Sequence, residues 1–414
     1  MTRRAAYAVV AAVAIVPRLV VLLHERDDIL SSFTEKSDRF AKTFVDDGTL
    51  GFLPGEPSAW TQPLYSFFLV PIYWVAGREW WAVGLAQIAV AAATAIVVYE
   101  IGRRFLSHRA GLVAALVATL SPYLVWHDVH LNRELLDQLL AAIVVLLTLL
   151  VGERRGGLAA ATLLGVGLGL AILGNSRLVL LPFVVAGYLL WRRKGWQTVG
   201  VTLAACAVAL LPWLVRNEVN VGCFTLTTDS RALWKANNLA TYETLDRGGW
   251  IDDVPNLPGA PPWPELAADL TISGKPTTVD ECAQMRLYRR EVIDFWQEHP
   301  GEKARLMGQA ARMLWDPRSI RTEGRAETGG FVDDSRKWAQ PIYTIPLYVL
   351  AAIGLVVMPR RIAVLFVALL AYNTLAALVF AGATRYRVPW DFVLALAAGA
   401  AVVSLLDRRR HPAT

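Results

Sequence analysis

Long apolar runs dominate this sequence, and they constrain the fold more than any other feature. A membrane-spanning helix needs about 20 mostly apolar residues, because lipid offers backbone amides no hydrogen-bond partner. Roughly ten runs approach that length, some with amphipathic flanks: 5–23, 80–102, 110–126, 135–152, 157–173, 178–191, 197–215, 341–358, 362–381 and 388–406. The stretch from Pro63 to Ala76 is shorter, so we expect an interfacial or re-entrant helix there. The sequence therefore predicts an all-α polytopic membrane protein with about ten transmembrane helices.

Composition excludes the other broad classes of protein. Apolar residues of the AVILMFWYC set make up 55% of the 414 residues, and only 18% are charged, against about 25% charged in ordinary soluble domains. A soluble globule, a disordered chain and a fibrous repeat are all incompatible with these values. The net charge of +6 is not gathered into one basic face, so we expect no nucleic-acid partner.

Basic residues fall at every second boundary between the apolar runs. The clusters are Arg3/Arg4, Arg103/Arg104/Arg109, Arg154/Arg155, Arg192/Arg193/Lys194, Arg360/Arg361 and Arg408/Arg409/Arg410. Short cytoplasmic loops carry the excess of Lys and Arg, so we expect both termini in the cytoplasm of a multi-pass plasma-membrane protein. The predicted units are an N-terminal transmembrane module, 1–215, with a first outer loop at 24–78, a mixed but mainly helical extracytoplasmic domain, 216–340, and a C-terminal transmembrane module, 341–414.

Two smaller patterns predict packing rather than chemistry. Cys223 and Cys282 both lie in the large outer segment, where oxidation is permitted, so we expect a disulfide, with two free buried thiols as the alternative. Gly165, Gly167 and Gly169 alternate within an apolar run, which indicates close helix packing, because a nucleotide site would need a preceding strand.

Polar residues gather at the outer ends of the runs. Charges that face a membrane interior are costly and usually mark a pathway or a site. Because acids, amides and arginines come from five separate hairpins, we expect a cavity that opens outward. The residues concerned are Glu35, Lys36, Asp38, Asp46, Asp47, His127, Asp128, His130, Arg133, Glu134, Asn175, Arg177, Arg216, Asn217, Arg385 and Arg387.

Short motifs in this order resemble the GT-C superfamily of integral-membrane glycosyltransferases, which includes protein O-mannosyltransferases and the lipid A aminoarabinose transferase. The matching pieces are Glu35 to Asp38 before Phe40-Ala41, Gln62-Pro63-Leu64-Tyr65, Glu134 at the head of a run, Pro212-Trp213 with Arg216-Asn217, Asn237-Asn238, Glu298-His299-Pro300 and Arg385-Tyr386-Arg387 with Pro389. The family's Asp falls about eight residues before the alanine that corresponds to Ala41, near Phe33, so the nearest carboxylates here are Glu35 and Asp38.

The resemblance implies transfer of a sugar from a polyprenyl-phosphate carrier to a glycan, lipid or protein acceptor on the outer face, with inversion at the anomeric carbon. A positioned carboxylate takes the proton of the attacking hydroxyl, and we expect Asp38 first and Glu35 second, with helix capping as the alternative role. Arginine forks bind phosphate oxygens. The candidates for the donor phosphate are Arg385 and Arg387, with Arg177 and Arg216 as secondary partners and interfacial snorkelling as the alternative.

The remaining candidates bind substrate rather than react with it. His127 and His130 are three residues apart and precede Glu134, a set that could hold zinc. A hydrogen-bonded acceptor or lipid-phosphate site is favoured over that metal site, so we expect no cofactor, with a divalent metal as the alternative. Tyr65 and Asn237 complete the substrate-binding candidates.

Two other functions compete with the glycosyltransferase. A transporter or flippase for a lipid or solute predicts discontinuous helices, polar residues near mid-membrane and often an internal repeat, whereas these runs are apolar through their middles. A non-catalytic envelope scaffold leaves the gathering of arginines and acids without a role. All three hypotheses, the glycosyltransferase, the transporter or flippase and the scaffold, have membrane lipids as partners.

Overall fold

The computed structural model describes residues 2–31, 36–153, 157–272, 275–276, 278–318 and 331–410, and these are almost entirely helical. The first helices are α1 (Arg3–His24), α2 (Lys36–Asp47), α3 (Pro63–Ala76), α4 (Trp80–Phe105), α5 (His108–Thr119), α6 (Pro122–His127), α7 (Glu134–Gly152), α8 (Gly157–Gly174), α9 (Leu181–Trp191) and α10 (Trp196–Val221). They are followed by α11 (Arg231–Lys235), α12 (Thr241–Asp246), α13 (Pro264–Asp269), α14 (Glu281–Glu298), α15 (Pro300–Trp315), α16 (Phe331–Val357), α17 (Arg360–Val379), α18 (Thr384–Arg387) and α19 (Asp391–Arg410). Strands β1 (Thr271–Ile272) and β2 (Lys275–Pro276) pair antiparallel.

The prediction of a helical, polytopic membrane protein is confirmed, although the count of ten spans is not. Eight helices in the described ranges are long and apolar enough to cross a membrane: Arg3–His24, Trp80–Phe105, Glu134–Gly152, Gly157–Gly174, Trp196–Val221, Trp338–Val357, Arg360–Val379 and Thr384–Arg408. The predicted run 110–126 divides into α5 and α6, because Pro122 lacks a backbone N–H and begins a new helix. The run 178–191 lies in a short helical stretch, Ser176–Trp191. Pro63–Ala76 is a separate 14-residue helix, α3.

Small residues let the helices approach closely. A Cβ added to Gly165 of α8 would lie 2.2 Å from the carbonyl oxygen of Thr202 in α10, and one added to Gly169 would lie 2.6 Å from the Cβ of Ala209. The Gly-x-Gly-x-Gly pattern therefore serves helix packing, as predicted. Small residues at such interfaces gain van der Waals contact that lipid alone does not provide.

The two predicted transmembrane modules share one apolar core. That core contains side chains from both ends of the chain, among them Val10, Val98, Leu164, Leu365 and Val393. Helix α19 packs against α5 and α16. The C-terminal helices therefore complete the N-terminal bundle.

The segment after α10 folds against the first loop at one end of the bundle. Cys223 and Cys282 form a disulfide that ties the end of α10 to the start of α14. Next to it, the buried Glu281 accepts hydrogen bonds from the backbone N–H of Ala59 at 3.1 Å and from Thr228 Oγ1 at 2.6 Å. Helices α14 and α15 are separated by His299, and Pro300 begins α15.

The closest helix contact gives a test of the packing. A Cβ on Gly354 in α16 would meet the carbonyl oxygen of Ala397 in α19 at 1.8 Å, whereas a Cβ on Gly200 in α10 meets no atom within 4 Å. Overpacking of this kind costs about 1–3 kcal/mol. We expect Gly354→Ala to lower the melting temperature of the detergent-solubilised protein by several degrees, while Gly200→Ala leaves it unchanged or raises it. Equal melting temperatures for the two variants would contradict this helix contact.

Candidate functional site

Polar side chains from separate parts of the chain meet at the end of the bundle that carries the large loops. Arg385 of α18 forms an ion pair with Glu134 at the start of α7, with Nη2 and Oε1 2.5 Å apart. One turn further along α7, Asp137 accepts a hydrogen bond from Asn175 Nδ2 at 2.9 Å. One polar site is therefore formed by the start of α7, the turn after α8 and helix α18 between α17 and α19.

Arg177 occupies the centre of this site without a full set of hydrogen bonds. Its guanidinium lies 3.9 Å from the centre of the Tyr386 ring and 5.5 Å from that of Phe380. Its Nε and Nη2 atoms are buried and have no hydrogen-bond partner among the described residues. Burial lowers the pKa of Arg177 to about 10, and the positive charges of Arg133 and Arg385 add to this effect. The site is therefore a cluster of three arginines, one of which retains unused donors.

A small cavity opens beside Arg177. Its walls come from α7, the turn before α9, α17 and the segment that leads into α19, and they are Asp137, Asn175, Arg177, Leu178, Asn373, Ala376, Tyr386, Pro389 and Trp390. The side chain of Asn373 is buried in α17, and its Nδ2 atom has no hydrogen-bond partner in the described ranges. Unpaired N–H donors therefore line the cavity from two sides.

The arginines predicted to bind phosphate divide into two groups. Arg177 and Arg385 reach the polar site. Arg387 is fully buried, lies 3.3 Å from Asp391 and donates to the carbonyl oxygen of Asp316 at 2.7 Å. Arg216 donates to main-chain carbonyls of the first loop, at Ser58 (2.7 Å) and Leu50 (2.8 Å). These last two arginines therefore fasten neighbouring segments together.

The predicted catalytic carboxylates belong to the first loop. Asp38 lies in the first turn of α2, where Oδ1 accepts from Tyr73 Oη at 2.5 Å and Oδ2 accepts from Arg78 Nη2 at 2.8 Å. Its side chain is 13% exposed. Glu35, the second candidate, lies outside the described residues. The bonds from Tyr73 and Arg78 fix the orientation of the Asp38 carboxylate.

The predicted histidines and Tyr65 are packed within the protein. The ring of His127 stacks on Tyr123 with 3.7 Å between centres, and His130 stacks on Trp126 at 4.0 Å. Tyr65 Oη donates to Gln87 Oε1 at 2.6 Å and accepts from the N–H of Asn132 at 2.9 Å. No group of three His, Cys, Asp or Glu side chains that could hold a metal occurs in the part of the chain that the structure describes.

Asn237 joins the large loop segment to the membrane helices. Its Oδ1 accepts hydrogen bonds from Trp296 Nε1 at 2.9 Å and from Lys303 Nζ at 2.6 Å, while Nδ2 donates to the carbonyl oxygens of Leu233 and Val379. Burial lowers the pKa of Lys303 to about 8. Asn237 therefore holds α11, α14 and α15 against the end of α17.

The sequence did not identify Asp137, Asn373 or Tyr386 as site residues, although Tyr386 stands in the motif Arg385-Tyr386-Arg387. Asp137 follows Glu134 by three residues, which places both carboxylates on one face of α7. This spacing could have identified Asp137 from the sequence. Asn373 is a single amide in an apolar run, and a polar side chain at that depth needs a partner. Tyr386 supplies a ring face, which no spacing rule identifies.

Fold and site together define a multi-pass helical membrane protein with an arginine-lined polar site at one end of its bundle. A family model described as dolichyl-phosphate-mannose-protein mannosyltransferase matches residues 57–215, less than half of the chain. The fold is similar to that of the Archaeoglobus fulgidus oligosaccharyltransferase in the apo form, with a TM-score of 0.50 and 10% identity. That alignment covers 97% of this chain and 51% of the oligosaccharyltransferase.

ArnT from Cupriavidus metallidurans also aligns with this chain. The structure bound to undecaprenyl phosphate gives a TM-score of 0.44 and 14% identity over 99% of this chain and 80% of ArnT, and the apo structure gives 0.43 and 16% over 97% and 78%. No curated protein matches the sequence. The family match and the fold shared with the oligosaccharyltransferase confirm the resemblance to the GT-C membrane glycosyltransferases that the motifs indicated.

The ion pair between Glu134 and Arg385 can be tested by a double-mutant cycle. Both side chains are largely buried, so Glu134→Gln alone leaves a buried cation and costs about 3–5 kcal/mol. We expect Glu134→Gln and Arg385→Gln to couple by at least about 1 kcal/mol in denaturant unfolding. The matched control is the exposed pair of Glu302 and Arg305, 3.7 Å apart, which should couple by about 0.5 kcal/mol or less. Additive effects at the first pair would show that it contributes nothing to the site.

Proposed function

We propose that this protein is an inverting glycosyltransferase that moves a sugar from a polyprenyl-phosphate donor to a glycan, lipid or protein acceptor. The observation that carries the proposal is the convergence of Arg133, Arg177 and Arg385 at one polar site, with donors of Arg177 still unused. A phosphate leaving group accumulates negative charge as its bond to the sugar breaks. Fixed guanidinium donors stabilise that charge without reorganisation.

The site and the family match both support a donor that is carried on a lipid phosphate. The matching model is named for dolichyl-phosphate-mannose, a sugar carried on a lipid phosphate. The arginine cluster lies at the end of apolar helices, so a lipid chain can stay in the bilayer while its phosphate reaches Arg177 and Arg385. This arrangement favours a polyprenyl-phosphate sugar over a water-soluble nucleotide sugar.

Asp38 is our proposed general base. A hydroxyl acceptor is a weak nucleophile, and a positioned carboxylate can remove its proton during attack on the anomeric carbon. Tyr73 and Arg78 hold the Asp38 carboxylate in one orientation, which is what directional proton transfer requires. Glu35 is the second candidate for this role.

We place the reaction on the outer face of the plasma membrane, with both termini in the cytoplasm. The end of the bundle opposite the polar site carries basic side chains, among them Arg103 and Arg104 around Glu100, and Arg109 beside Asp407. Short loops on the cytoplasmic side of a membrane carry an excess of Lys and Arg. That distribution supports an outward-facing site.

Donor cleavage provides the direct test of the function. The protein is reconstituted in lipid vesicles with undecaprenyl-phosphate-linked mannose, galactose or arabinose and an extract of envelope glycans, and released undecaprenyl phosphate is measured by mass spectrometry. We expect release from one donor together with a covalent glycosylated product. Movement of the lipid across sealed vesicles without any product would instead support the alternative, a transporter or flippase.

The general base can be separated from donor binding. Asp38→Asn should lower the transfer rate by at least about 100-fold, the usual contribution of such a base, while undecaprenyl phosphate still binds. The control is Asp46→Asn, an exposed residue of the same helix, which should keep the wild-type rate. Full transfer by Asp38→Asn would remove this carboxylate from the mechanism and leave Glu35.

Arg177 can be tested by binding alone. Arg177→Met keeps much of the side-chain volume and removes the donors, so affinity for undecaprenyl phosphate should fall at least about tenfold, since hydrogen bonds to charged groups contribute about 1.5–3 kcal/mol. Arg109→Met, at the opposite end of the bundle, is the control and should bind like the wild type. Unchanged affinity of Arg177→Met would contradict the phosphate site.

A further inference from the structure

The cavity beside Arg177 has chemistry that the phosphate site does not use. We propose that this cavity binds one hydroxyl group of the donor sugar, and that Asn373 is a specificity-determining residue there. The inference rests on the proposed function and deepens it, because it concerns the sugar rather than the lipid phosphate. It is carried by the Asn373 amide, whose Nδ2 atom has no hydrogen-bond partner among the described residues, and by the mixture of donors and acceptors in the cavity wall.

The first argument is energetic. Asn373 is 5% exposed, and its Nδ2 atom has no hydrogen-bond partner among the residues described. A buried donor without a partner costs about 1–3 kcal/mol, and nothing in the packing of an apolar helix requires an amide. Leucine would fill the same position without that cost. The amide is therefore explained by a ligand oxygen that enters the cavity.

The second argument concerns the kind of oxygen. The carboxylate of Asp137 and the amide of Asn175 line the same cavity and are bonded to each other at 2.9 Å. A carboxylate repels a second anion, so this part of the site does not suit a phosphate oxygen. A sugar hydroxyl both donates and accepts, and it can therefore bond Asn373 and Asp137 together.

The third argument is position. Arg177 and Tyr386 belong both to the arginine cluster and to the cavity wall, so the phosphate and the cavity are neighbours. In the donor, the sugar is joined directly to the phosphate. Tyr386, Pro389 and Trp390 give the rest of the cavity wall an apolar surface. A donor phosphate on Arg177 and Arg385 places its sugar at the mouth of the cavity.

The test compares lipids with and without a sugar. Affinities for undecaprenyl phosphate and for undecaprenyl-phosphate-linked mannose, galactose and arabinose are measured on the full chain in nanodiscs. We expect the wild type to bind one sugar-bearing lipid more tightly than bare undecaprenyl phosphate. Asn373→Leu should keep the affinity for the bare lipid within about twofold and lose about five- to tenfold for the preferred donor, as the loss of one hydrogen bond implies.

Stability supplies a second readout that a structural role would move in the opposite direction. Asn373→Leu removes an unpaired donor, so its melting temperature should equal or exceed that of the wild type. The matched variant is Gln87→Leu in α4, because Gln87 is also a buried amide but donates to the carbonyl oxygens of Asp128 and His130 at 2.9 and 2.7 Å. Gln87→Leu should therefore melt at a lower temperature. Asn373→Ser, which keeps a hydroxyl, should retain part of the sugar preference.

The outcomes separate the two proposals. If the wild type binds none of the four lipids, the proposed function fails. If it binds bare undecaprenyl phosphate but gains nothing from any sugar, the sugar site is wrong and the phosphate site stands. Equal losses for bare and sugar-bearing lipids in Asn373→Leu, or a clear fall in its melting temperature, would also overturn the sugar site.

Discussion

The structure depends on how the charge and the hydrogen-bond donors of its buried arginines are compensated. A guanidinium cannot lose its proton under physiological conditions, so a buried arginine needs an anion or several carbonyl oxygens. Arg18 in the first helix is 1% exposed, and it is matched by Asp128 with 2.8 Å between Nη2 and Oδ2. Arg387 is matched by Asp391 and by a main-chain carbonyl. Arg177 differs from both, because an aromatic face covers it and two of its nitrogen atoms have no hydrogen-bond partner among the described residues.

Arg18 and Arg387 each hold separate segments of the chain together. Arg18 fixes the loop at Asp128 and also donates to the carbonyl oxygen of Thr119, the last residue of α5, so this carbonyl at the break between α5 and α6 has a hydrogen-bond partner. Arg387 fastens the start of α19 to the end of α15 through Asp316. The contacts of Arg18 with Asp128 and of Arg387 with the Asp316 carbonyl each join segments far apart in sequence.

The sequence was informative where periodicity or depth in the membrane decides the outcome. The apolar runs predicted the helices, and the short α3 was separated from the spans by its length alone. The choice between Arg385 and Arg387 was beyond such reasoning. Two residues apart on a helical turn, they point about 200° away from each other, so one reaches Glu134 while the other is buried beside Asp391. Which one faces the site depends on how α18 packs, and that is a tertiary property.

The sequence alone did not identify Asn373, because tertiary packing decides whether a buried amide has a hydrogen-bond partner. In the sequence it is one amide within an apolar run, and most such amides are satisfied by a neighbouring helix. Gln87 is an amide of that ordinary kind, bonded on both sides of its head group. Asn373 differs from Gln87, because its Nδ2 atom has no hydrogen-bond partner among the described residues. Arg177 and Asn373 line one cavity, and the Nε and Nη2 atoms of Arg177 and the Nδ2 atom of Asn373 have no hydrogen-bond partner among the described residues. A bound donor that supplies oxygens to these groups therefore gains affinity from them.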